Sequence, residues 1–246
     1  MPGEKELSKI RDFSMEVREG EIVGVAGIDG NGQTELIEAI TGLRKVERGA
    51  IYLKGEKIQN CSPRKIRRMG ISHVPENRNY NGLNKSFSIQ DNLIAVALDG
   101  PELRKGILND RAKQRQYAQR LIQTFDIRPA DPQYCVGSLS GGNAQKIVIG
   151  REVDTDSSLL IAAQPSRGVD IGAIESIRKI LLEERDKGRA ILLVSTDLEE
   201  VLSLSDRIVV LYEGHIAGEF LSDEVDEERL GLLMLGGEET EDAKLR

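Results

Sequence analysis

The eight residues Gly27 to Thr34, GIDGNGQT, constrain this chain more than any other stretch. They lie between the apolar run Ile22 to Ala26 and the helix-like Leu36-Ile37-Glu38-Ala39-Ile40. Strand, glycine turn and helix form the context in which unhindered backbone lets several N–H groups converge on one anion, so the stretch predicts a phosphate-binding loop. In such a P-loop the residue after the last glycine is ordinarily a lysine reaching the terminal phosphates, followed by Ser or Thr on a magnesium ion. Thr34 is present, and Gln33 stands where the lysine belongs. Its amide can donate a hydrogen bond but carries no charge. Glu35 follows at once, and a carboxylate beside a phosphate is expected to repel it. The pattern is that of a nucleotide fold with part of its chemistry removed.

Along the rest of the chain, Leu7 to Val17 reads as a strand or turn-strand pair ahead of the turn Arg18 to Glu21. Gly49 to Gly55 and Gly70 to Pro75 read as short strands, with a helix beginning at Pro63 between them, and together they suggest an antiparallel lobe. From Ser88 to about Gln123 the character turns helical: Ile89, Leu93, Ile94 and Ala97 fall at helical spacing, and a second, very polar helix covers Asp110 to Thr124. Leu139-Ser140-Gly141-Gly142-Asn143 then opens a helix whose first N–H groups make a second anion-binding element or a bare cap. The buried run Leu159 to Ala163 leads into Gln164-Pro165-Ser166-Arg167-Gly168-Val169-Asp170. Helix Ile171 to Lys187, strand Ala190 to Val194, a short helix Asp197 to Leu204 and a hairpin about Glu213-Gly214 complete an alternating pattern, which implies a parallel sheet covered on both faces. The fold class expected is α/β, with a parallel sheet, a small antiparallel β lobe and an inserted helical subdomain.

With 246 residues, 39% of them hydrophobic, the chain can bury one substantial core. Its formal charge of -7 and the lack of a long basic run disfavour a nucleic-acid partner. The short cluster Arg64, Lys65, Arg67 and Arg68 reads as a solvated helix face rather than an anion site. Cys61 and Cys135 give neither a metal spacing nor a disulfide framework, which fits a reducing cytoplasm. No stretch approaches the apolar length of a membrane span, so any membrane role is expected to be peripheral. His73 and His215 read as ordinary strand or turn residues, and Tyr52, Tyr80 and Tyr117 are too scattered to form a base-stacking surface.

The loop Gly27 to Thr34, then LSGGN at Leu139 to Asn143, then an apolar strand ending in Gln-Pro with Gly168 and Asp170 downstream, resemble in this order the ATP-binding subunits of ABC transporters. The resemblance spans about Leu7 to Leu235, and it implies a P-loop NTPase core with an ABC-type helical insertion. GNGQTEL, HVPENR, LSGGNAQK and PSRGVDIGA are similar to the second half of tandem ATPases serving bacterial sugar-type and nucleoside uptake, with AQPSRGVD nearest the nucleoside branch. The resemblance implies one domain over 1–235, with a helical subdomain at about 86–150; the tail 236–246 is glycine-rich and acidic, and that composition predicts disorder.

In that family two nucleotide-binding halves pack head to tail, and each ATP lies between one P-loop and the other half's SGG helix. Carried onto this chain, Gly27, Asp29, Gly30, Asn31, Gly32, Gln33, Thr34, Glu35 and Glu76 would line its own ATP site, with Thr34 on Mg2+. Ser140, Gly141, Gly142, Asn143 and Asp170 would face the partner's nucleotide. Four departures bear on its own site: Gln33 replaces the lysine, Ala163 the metal-holding aspartate, Gln164 the glutamate that polarises water, and Thr196 the histidine after the later strand. The lid-loop glutamine is Glu76. A general base is typically worth 10²–10⁴ in rate, so these losses together imply a site that does not hydrolyse. No aromatic residue preceding Phe13 suits the family's adenine stack. The partners implied are an intact N-terminal nucleotide-binding half, two transmembrane permease subunits and, indirectly, a solute-binding protein. The place implied is the cytoplasmic face of the plasma membrane. A slow but genuine ATPase and a nucleotide-free docking scaffold are the competing readings; DNA-repair and translation relatives of the ABC group are disfavoured by the lack of a heptad insertion and of a basic linker.

Overall fold

Leu159–Ala163 and Ala190–Val194 carry no polar face, so each can form a strand only where both sides are covered. The computed structural model describes residues 10–98, 100, 103–105 and 108–237, and both runs lie at its centre. The first half of the chain supplies β1 (Ile22–Ala26), α1 (Gln33–Thr41), β2 (Tyr52–Leu53), β3 (Glu56–Lys57), α2 (Pro63–Arg68), β4 (Ile71–Val74), α3 (Ile89–Ile94), β5 (Arg104–Lys105), β6 (Leu108–Asn109) and α4 (Arg111–Thr124). The second supplies α5 (Gly141–Val153), β7 (Leu159–Ala163), α6 (Ile171–Asp186), β8 (Ala190–Ser195), α7 (Leu198–Leu204), β9 (Arg207–Tyr212), β10 (His215–Leu221) and α8 (Glu227–Met234).

Six strands form one sheet in the order β10-β9-β1-β8-β7-β4. All neighbours are parallel except β9 and β10, the hairpin expected about Glu213-Gly214. Alternation along the strands divides the core. Leu160, Ala162, Ile191 and Leu193 pack with α3, α4, α5 and α6, whereas Ile161, Ala163, Leu192 and Val194 pack with Leu36 and Ile37 of α1 and Ile66 of α2. Ala26, Ile208 and Val210 meet α7 and α8 in a third cluster. These opposite faces explain why the central runs are apolar throughout.

The structure corrects several local expectations. Residues 10–17 form no strand; Ile10, Phe13, Met15 and Val17 instead rest half-buried against the cluster beneath α1. The Gly70 to Pro75 strand is not part of an antiparallel lobe: β4 is the parallel edge neighbour of β7, and the lobe contains the β2–β3 hairpin. Ser158 N and Leu159 N both donate to the Gly70 carbonyl, which fixes this long-range pairing. Helix α3 is short, stopping before Ala97, and the β5–β6 hairpin lies between it and α4. Helix α5 continues to Val153 and shares its core with the sheet. Apart from Gly236 and Gly237, the tail expected to be disordered lies outside the described residues. Among the described residues no helix is long and apolar enough to cross a membrane.

The basic cluster is the face of α2, and Arg67 pairs there with the buried Glu152 of α5. Next to that pair lies His73 on β4, whose Nε2 is buried without a hydrogen-bond partner among the described residues. Burial lowers its pKa from 6.5 to about 4, with Glu152 opposing and Arg67 assisting. The unfolded chain takes up a proton below about pH 6.5 that the folded chain refuses until about pH 4. This group therefore costs nothing above pH 6.5 and destabilises the fold progressively as pH falls through that window. The expected loss is up to about 3 kcal/mol. Denaturant titrations from pH 4 to 7 should show His73→Gln with a slope shallower by about one proton; equal slopes would remove His73 from the account.

Candidate nucleotide-binding site

The sheet places the carboxyl ends of β1, β7 and β8 side by side, with the segment after β4 alongside, and ligand sites of open α/β sheets lie at such ends. A cavity of about 220 Å³ opens there, lined by Asp29, Gly30, Gln33, Thr34, Ile37, Glu76, Ala163, Gln164 and Val194. Four segments separated by many residues in sequence therefore meet around one cavity. Ile37 and Val194, which the sequence pattern marked only as core, form its apolar floor.

Gly32 is the N-cap of α1 at φ 111°, a conformation that a β-carbon disfavours. No side chain caps the helix, so its first N–H groups and the positive end of its dipole remain for an anion. The cradle thus fits a polyphosphate. Gln33 is itself buried, and its Nε2 donates 3.2 Å to the carbonyl of Val25. The amide is thereby tied back to the strand.

Other residues expected at the pocket serve the scaffold. Asn31 Nδ2 donates to the carbonyls of Leu211 and Met234 at 3.2 and 3.3 Å, and its Oδ1 accepts from Glu213 N, so this side chain binds the loop to β9, the hairpin turn and α8. Glu35 is buried and lies 4.0 Å from the Arg44 guanidinium; it does not line the cavity, so the repulsion expected of it is displaced from the phosphate site. Gly27 and Gly32 likewise shape the loop without lining the cavity. A β-carbon on Gly27 would stand 2.9 Å from the Leu211 carbonyl oxygen.

On the opposite wall Ala163 offers no donor atom, and Gln164 sits at φ 47°, a left-handed conformation costing roughly 1–2 kcal/mol for a non-glycine residue. Its amide is held against Thr196: Nε2 lies 3.2 Å from the hydroxyl oxygen, and Oε1 lies 3.4 Å from the Thr196 N–H. An amide and a hydroxyl therefore face one another here, and neither is a general base near neutral pH. No cluster of three or more His, Cys, Asp or Glu suited to a metal occurs among the described residues. Mg2+ commonly binds through one or two carboxylates together with substrate phosphates. Thr34 supplies one hydroxyl oxygen to the cavity, so the pocket fits the ion only together with a polyphosphate.

The second anion-binding element is built as a helix start. Ser140 caps α5, its hydroxyl accepting from Asn143 N and Asn143 Nδ2 at 3.4 and 3.1 Å, and Asn143 Oδ1 accepts from Arg128 N. Asp170 caps α6 by accepting from Ala173 N at 2.9 Å. The two caps touch: a β-carbon on Gly142 would stand 2.7 Å from Asp170 Oδ2, and one on Gly141 would stand 2.7 Å from the Gly168 carbonyl. Arg78, in a single π-helical turn at Arg78–Gly82, donates to the carbonyls of Arg167 and Gly168 at 2.6 and 2.8 Å. Arg167 in turn pairs with Glu76. These links join positions about 90 residues apart, and nothing in local sequence announces them.

A P-loop at the end of a central parallel strand, with a serine-capped glycine helix on the same body, defines an ATP-binding cassette. Residues 10–167 match the family model for the ABC transporter, and the chain belongs to that family. Among its relatives are the guanosine import ATP-binding protein NupO of Bacillus subtilis, 48% identical over 97% of this chain and 47% of the relative. The nucleoside import ATP-binding protein NupA of Lactococcus lactis is 46% identical over 93% of this chain and 45% of its own length. The chain thus spans about half the length of the curated relatives it matches. A crystal structure of a nucleotide-free ATP-binding cassette from an ABC transporter shares the fold at TM-score 0.77 and 23% identity, covering 99% of this chain and 95% of that one.

Proposed function

We propose that this chain is the nucleotide-binding half of a nucleoside-type import ATPase in which its own ATP site is degenerate and its SGG helix serves the partner's site. The observation carrying this reading is the contrast between the two elements. Ala163 and the Gln164–Thr196 pair leave the end of β7 without a base, while Ser140, Gly141, Gly142 and Asp170 form an intact double helix cap. The names of the nucleoside and guanosine import relatives support the solute class, and the glucose and ribose import relatives keep sugars as the alternative.

In this reading Mg-ATP binds through the N–H groups at the start of α1, with Thr34 on the side of the ion. Bound metal would neutralise phosphate charge; the chain itself contributes orientation, and the Gln164 amide at the end of β7 takes no proton from water. The second, intact half, two permease subunits and indirectly a solute-binding protein complete the assembly at the cytoplasmic membrane face. The domain is taken as 1–235 with the helical insertion at 86–150, α5 running a few residues beyond.

A second reading, an empty pocket in a docking scaffold, is favoured by one observation: Gln33 is bonded to Val25, and the charged residues lining the cavity are the acids Asp29 and Glu76. Titration calorimetry of Mg-ATP into the chain, with phosphate release followed in the same sample, separates the readings. Micromolar to millimolar binding without release is the expected result. Sustained release would establish a slow ATPase instead, and no binding would favour the scaffold.

A further inference from the structure

A polyphosphate brings several negative charges into a cavity whose charged lining residues, Asp29 and Glu76, are both acids. Among the described residues no lysine or arginine lines it. Gln33, in the lysine's place, has its amide engaged by Val25. Arg44, just past α1, is engaged by Glu38 at 2.8 Å and lies 4.0 Å from Glu35. A cation does touch the pocket wall: Arg167, whose Nη1 is bonded to Glu76 Oε1.

That contact is built rather than incidental. Arg78 holds the backbone from which Arg167 reaches by donating to its carbonyl and to that of Gly168. Arg167 N donates in turn to the Gln164 carbonyl at 3.1 Å. Glu76 and Arg78 belong to the same loop, so the pair closes a ring joining the loop after β4 to the segment after β7. The guanidinium is therefore presented to Glu76 from a fixed backbone, although both side chains keep about half their surface in water.

We propose that Arg167 is the charge-compensating residue of this pocket, neutralising Glu76 so that a polyphosphate can enter where the P-loop supplies no lysine. The inference rests on the reading of the cavity as a nucleotide site, and it assigns to the loop after β7 a binding role in this chain's own pocket. An uncompensated carboxylate within about 8 Å of the phosphates weakens binding by roughly tenfold at intermediate dielectric. Removing both charges leaves the wall neutral again.

The test is calorimetric titration of Mg-ATP, and separately of magnesium with inorganic triphosphate, into the wild-type chain, Arg167→Gln, Glu76→Gln and the double variant. Arg167→Gln should weaken both ligands by roughly tenfold, the loss shrinking in high salt. Glu76→Gln should bind at least as tightly as wild type, and the double variant should return close to it. The Arg78 bonds go to backbone carbonyls and survive these changes, and matching thermal midpoints would verify that. Wild-type affinity in Arg167→Gln, or a double variant as weak as Arg167→Gln, overturns the proposal while leaving the nucleotide site standing. Wild-type protein that binds neither probe overturns both.

Discussion

A Gln33→Lys variant is expected to bind Mg-ATP at least tenfold more tightly than the wild-type chain while releasing phosphate hardly faster. The affinity gain follows from placing a unit charge where an uncharged amide now lies, since hydrogen bonds to an ionised donor are roughly twice as strong as neutral ones. The ammonium can keep the bond to the buried Val25 carbonyl in the free chain, so the fold is retained. The rate is limited elsewhere. Ala163 cannot hold a metal-bound water, and Gln164, locked against Thr196, cannot accept a proton. A missing general base alone accounts for a factor of about 10²–10⁴. Calorimetry with coupled phosphate detection measures both quantities, and turnover rising to that of an intact ATPase on this one change would falsify the account of the site.

Gly142→Ala should destabilise the chain by about 1–3 kcal/mol, the usual cost of overpacking a closed contact. The added carbon would stand 2.7 Å from Asp170 Oδ2 and 2.8 Å from Ala173 Cβ. Either α5 retreats from α6 or Asp170 swings away and gives up its bond to Ala173 N. The same substitution at Gly172, whose β-carbon would meet Asp170 Oδ1 at an ordinary 3.6 Å, should be neutral or stabilising by up to about 1 kcal/mol. Urea unfolding of the two variants reads the contrast directly. Equal stabilities would mean that the two helix caps do not bear on one another.

The sequence by itself determined the elements whose pattern is local. The P-loop between β1 and α1, the apolar β7 and β8, α4 with its Asp110 cap, and the β9–β10 hairpin follow from periodicity and glycine placement read over a few residues. It also determined what these side chains can offer, because Gln33, Ala163 and Gln164 carry no charge wherever they lie. Only the tertiary structure decided what depends on pairing across the chain. Four residues of β4 cannot declare whether they join a hairpin or the parallel edge beside β7; the partner strand is nearly 90 residues away. Asn31 sits within the glycine loop and Glu35 just after it, as ligands would, but their side chains are engaged by the carbonyls of Leu211 and Met234 and by Arg44. The Glu76–Arg167 pair and the Arg78 clamp arise where the ends of β4 and β7 meet. Charge balance in the pocket is therefore a property of the folded surface, because it depends on which side chains converge rather than on which residues are present.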